Sequence, residues 1–119
     1  MGNGLVNTRD QQFVLFEQLG IETLFERDPF KDFTKDDVLM MLNEAEKMAV
    51  NVLLPTYAEG DREGCGFKEG KVSVPACYHD AFKKFVEAGW LCPSRSPEVG
   101  GQGVPTVVNT AYTELFTAS

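Results

Sequence analysis

The feature that most limits the fold of this chain is an apolar stripe that follows Thr34. Val38, Met41, Leu42, Ala45, Met48, Ala49, Val52 and Leu53 recur at three- and four-residue spacing, with Asn43, Glu44, Lys47 and Asn51 on the opposite face. That period lines up one face only on an α-helix, and the face must be buried against another element. Thr34 and Asp37 have the form of a capping box, which predicts the helix start. Pro55 falls late in the run, where a missing backbone donor predicts a kink. Because Tyr57 and Ala58 follow, the helix is expected to continue to about Gly60.

The rest of the chain repeats this logic on a smaller scale. Thr8 and Gln11 form a second capping-box pattern, and Phe13, Val14, Phe16 and Leu19 give an apolar stripe that Gly20 ends. Ile21 to Phe25 reads as one or two turns, Asp28-Pro29 breaks it, and Phe30 and Phe33 are expected to anchor it. Glu69-Gly70 suggests a small hairpin turn in a hairpin near 67–74. Pro75 suits the first turn of another helix, whose buried stripe is predicted to be Tyr78, Ala81, Phe82 and Phe85. Gly89 closes it. A glycine- and proline-rich loop runs from Trp90 to Gly103. Pro105 then starts a last helix with Val108, Ala111, Tyr112 and Leu115 on one side and Thr106, Thr110, Thr113 and Thr117 on the other.

The reading is therefore mainly α: a helical bundle-like domain of about four main helices with a small hairpin. Residues 1–7 are expected to be a disordered lead, 8–33 an extension helix and anchor, and 34–119 the helical domain. Solvent-facing helix positions favour Glu, Lys or Gln over threonine. The threonine face of the last helix is accordingly expected to pack against something outside this chain.

Charge and cysteine content narrow the class. With 11 Lys+Arg against 18 Asp+Glu, the 119-residue chain carries a formal charge of −7. That balance argues against nucleic-acid and anionic-membrane surfaces, both of which need clustered Lys and Arg. No apolar run approaches the ~18 residues of a membrane span. Three cysteines without framework spacing fit a reducing compartment, so cytoplasm is the expected location.

No residue pattern by itself announces a reaction. Cys65, Cys77, His79 and Cys92 lack the paired spacing of a structural zinc site, so core or surface cysteines are the better reading and no metal is expected. Asp61 to Val72 fails as a calcium loop, because position twelve is Val72 in place of a bidentate glutamate. Gly101 and Gly103 precede a helix, but no buried strand leads into them as a dinucleotide fingerprint needs. His79, the only histidine, has no nucleophile-bearing segment around it. No catalytic and no cofactor-binding residue is assigned.

In order along the chain, several segments nevertheless resemble one family. Phe85-Val86-Glu87-Ala88-Gly89-Trp90 followed by Pro97-Glu98-Val99-Gly100-Gly101-Gln102-Gly103-Val104-Pro105 is similar to a helix end, loop and helix start of acyl-CoA dehydrogenases. Leu54-Pro55 and Gly60-Asp61-Arg62-Glu63-Gly64-Cys65 resemble the same family's helix running through a proline to an acidic end. Arg9 to Leu15 resembles an extension found in a subgroup that includes 3-methylmercaptopropionyl-CoA and longer-chain acyl-CoA dehydrogenases. The likeness covers residues 8–119 and departs at Leu91 to Ser96, where relatives usually carry a glycine.

This resemblance implies the amino-terminal helical domain of an FAD-dependent enzyme that oxidises the α,β-bond of an acyl-CoA thioester. A glutamate takes the α-proton and the flavin takes the β-hydride. That glutamate and most flavin contacts belong to later domains, so the isolated chain is expected to be inactive and to hold no FAD. The implied partners are the middle and carboxy-terminal domains, the acyl-CoA substrate, an electron-transfer partner and further copies in a homo-oligomer. Leu115 and Phe116 are the residues expected to approach the acyl end of the substrate pocket. The competing reading is a free-standing helical protein-interaction module that uses its last helix.

Overall fold

A computed structural model of the chain describes residues 3–119. Its spine is one unbroken helical rod: α2 (Lys35–Met48), a π-helical turn (Ala49–Leu53) and α3 (Leu54–Glu63). Thr34 opens the rod as predicted. Its Oγ1 accepts the Asp37 amide at 3.2 Å, while the Asp37 carboxylate accepts the Thr34 amide at 2.8 Å. The π turn places Pro55 in the opening turn of α3, where its missing donor costs little. The rod runs on to Glu63, past the expected end at Gly60. Gly60 is buried because α4 crosses there: a Cβ would overlap the Tyr78 ring.

The first helix, α1 (Thr8–Gln12), departs from its prediction in two ways. Its cap is Asn7, whose Oδ1 accepts the Arg9 and Asp10 amides at 3.1 and 3.3 Å. Asparagine outranks threonine in that role. Gln11 is turned inward and makes no capping box. Beyond Gln12 the backbone widens into a π-helical segment (Phe13–Gln18), which shifts the phase of a 3.6-residue stripe. Leu15 is consequently the buried residue, Phe16 is half-buried, and Phe13, Val14 and Leu19 face outward. Ahead of α1 runs the described part of the lead. Asn3 donates to Glu46 at 2.9 Å, and Leu5 and Val6 pack on the core. Residues 1 and 2 of that lead lie outside the described residues.

After two short 3-10 turns (Ile21–Glu26 and Asp28–Phe30), Phe33 packs against the core and Phe30 is half-buried. The hairpin forms close to its expected place, with β1 (Gly66–Lys68) antiparallel to β2 (Lys71–Ser73) and Phe67 opposite Val72. Glu69 and Gly70 both take positive φ, 52° and 76°, the requirement of a two-residue turn matched to strand twist. In α4 (Cys77–Glu87), Ala81 is buried and Tyr78 and Phe85 are half-buried. Phe82, expected inside, is 61% exposed, since α4 has a neighbour on one side only. In α5 (Thr106–Ala118) all four expected core residues are buried.

The core lies where α5 crosses α2, built on Val38, Leu42, Ala45, Val108 and Leu115 with Leu15 and Ile21 closing one end. It is shallow. The molecule measures 54 × 38 × 18 Å, and two helix diameters of about 10 Å each fill the short dimension. Its radius of gyration, 16.6 Å, exceeds the roughly 13.5 Å of a compact domain this long.

Candidate functional site

An open groove of about 950 Å³ lies between the α1 segment and α5. Val14, Leu15 and Leu19 form one wall, and Val107, Thr110, Ala111, Thr113, Thr117 and Ala118 the other. Thr110, Thr113 and Thr117, from the threonine face expected to pack against something outside this chain, lie along this groove. Thr110 and Thr117 each donate to the carbonyl four residues back, at 2.9 Å. Gln11 bolts the two walls together. Its Nε2 donates to the Ala111 carbonyl at 2.7 Å and to the Glu114 carboxylate at 3.0 Å. With Asp10 and Glu114 on its border, the groove is apolar inside and acidic at the lip.

Leu115 and Phe116 stand on the other side of α5 from the threonines. Leu115 is fully buried in the core and lines neither this groove nor the second hollow beside Trp90. Phe116 is half-buried in an aromatic cluster, with ring centroids 5.1 Å from both Phe85 and Trp90, edge to face. Tyr112 completes the cluster and donates its hydroxyl to the Asn109 side chain. Burial pushes the Tyr112 phenol up to about 12, with a smaller contribution from Cys92. The cluster is a packing unit that seats the loop after α4 on α5.

The glycine loop is closed on itself. Gly100, Gly101, Gln102 and Gly103 donate their amides to the carbonyls of Pro97, Ser96, Pro93 and Arg95. Val104 donates to Pro93 as well, so this run of amides has no donor to spare for a phosphate. Gly101 must be glycine, because a Cβ there would overlap the Arg95 carbonyl. The loop turns the chain and aims α5.

The cysteines do not gather. Cys65 is exposed beside the hairpin, Cys77 sits at the start of α4 with its thiol 3.8 Å from the Thr56 carbonyl, and Cys92 lies in the loop after α4. Desolvation and then the charges of Glu59 and Glu63 raise the Cys77 thiol above its ordinary value. Among the described residues no three His, Cys, Asp or Glu side chains come together as metal ligands, and no helix is long and apolar enough to cross a membrane.

No protein-family model matches the chain. Individual relatives do. Over 90 residues, 76% of the chain, it is 32% identical to 3-methylmercaptopropionyl-CoA dehydrogenase of Ruegeria pomeroyi. Over 91% of the chain it is 32% identical to a broad-specificity linear acyl-CoA dehydrogenase of Mycobacterium tuberculosis. A butyryl-CoA dehydrogenase of Syntrophomonas wolfei is 33% identical across 95% of it. The chain belongs to the acyl-CoA dehydrogenase family.

Its share of the family's length is small. The chain spans 15%, 18% and 19% of these three relatives. Membership of the acyl-CoA dehydrogenases implies FAD in the whole enzyme, and the described residues are a poor match to a flavin nucleotide. The one glycine loop that could cradle a diphosphate uses its amides internally. Sequence reasoning missed Gln11 as the bolt of the groove and Asp10 with Glu114 as its lip. The spacing of Gln11 from Thr8 imitates a cap, and only the fold brings it against Ala111.

Proposed function

We propose that this chain is the amino-terminal helical domain of an FAD-dependent acyl-CoA dehydrogenase and contributes structure, not the proton-abstracting group, to the oxidation of an acyl-CoA thioester. The observation that carries this is the asymmetry of the likeness: 76–95% of the chain aligns, against less than a fifth of each relative. Under this reading the base and the flavin contacts sit in middle and carboxy-terminal domains of the same polypeptide, which works in a reducing, cytoplasmic setting as a homo-oligomer. Those domains would bring the hydrogen-bond donors that stabilise the developing enolate at the thioester oxygen. An electron-transfer partner would then reoxidise the flavin.

Phe116, at the rim of the aromatic cluster, is the residue that would meet the acyl end of the substrate, and Leu115 would support it from the core. The three named relatives act on a methylthio-acyl, a range of linear acyl and a butyryl thioester, so chain length is left to the later domains. The test is expression of the gene read through codon 119 as one polypeptide. The reading expects a yellow protein that reduces an electron-accepting dye when given acyl-CoA. A natural stop codon at 120 would contradict it and favour a free-standing interaction module.

A further inference from the structure

We draw no further inference here: the strongest candidate, the apolar groove between the α1 segment and α5 with its acidic lip, belongs to a chain that spans less than a fifth of its relatives' length, and nothing in the structure shows what covers it.

Discussion

At the scale of single residues, the least predictable feature is Gln11. Its side chain is buried and ties two segments about a hundred positions apart through the Ala111 carbonyl and Glu114. Replacing it by alanine removes both hydrogen bonds and opens a small void, at a cost of about 1–2 kcal/mol. A melt followed by circular dichroism should fall by several degrees. Gln11→Ala that melts with the wild type would mean that the groove walls hold without their bolt. Gly101→Ala should be more damaging than an ordinary loop change, because the displaced atom is the Arg95 backbone carbonyl and cannot swing away. Tyr112 gives a pH signature. Its phenol titrates near 10 when unfolded and is pushed up to about 12 in the fold. The native state then holds its proton longer than the unfolded state, so the stabilisation is complete below pH 10 and drains away between 10 and 12. Urea midpoints at pH 9 and pH 11 should show the loss in the wild type. Tyr112→Phe should show less of it, from a lower start because the bond to Asn109 is gone.

At the scale of elements, capping and proline placement explain why the central rod forms where it does. Thr34→Ala removes one half of a complete capping box and should cost about 1 kcal/mol in chemical denaturation. Pro55→Ala discriminates more finely. A proline inside a helix costs about 3 kcal/mol, so its removal would stabilise the protein by that much if Pro55 were strained. Because the π turn ahead delivers it to the opening of α3, the change should stay below about 1 kcal/mol. Most of this level was legible in the sequence. The Thr34 box, the α2 and α5 stripes and the Glu69-Gly70 turn depend on neighbours within one turn of chain, and all are observed. What was hidden depends on tertiary placement. The π winding after Gln12 rotates Phe13, Val14 and Leu19 out of the core, and Phe82 finds no element opposite it. A 3.6-residue period cannot report either event. The acyl-CoA dehydrogenase motifs in the α4–α5 loop were legible because their glycines and prolines are fixed by backbone geometry, such as the Gly101 approach to Arg95.

At the scale of the molecule, the balance is between a sound but shallow core and too much surface. The chain exposes 8066 Å², against roughly 6,400 Å² for a monomer of its mass. The excess, about 1,650 Å², is about twice the ~800 Å² that one partner contributes to a standard interface, which suits a domain that works in contact with others. Stability of the chain alone should therefore be modest, and any partner that covers the groove should raise its melting temperature by mass action. The central claim is that this chain is a structural part of a flavin enzyme whose chemistry is housed elsewhere. The most direct measurement is an anaerobic titration of the purified 119-residue chain with FAD and then butyryl-CoA, followed at the flavin's visible band. The account predicts that the flavin stays free and fully oxidised. Bleaching of the band on addition of the thioester would contradict it.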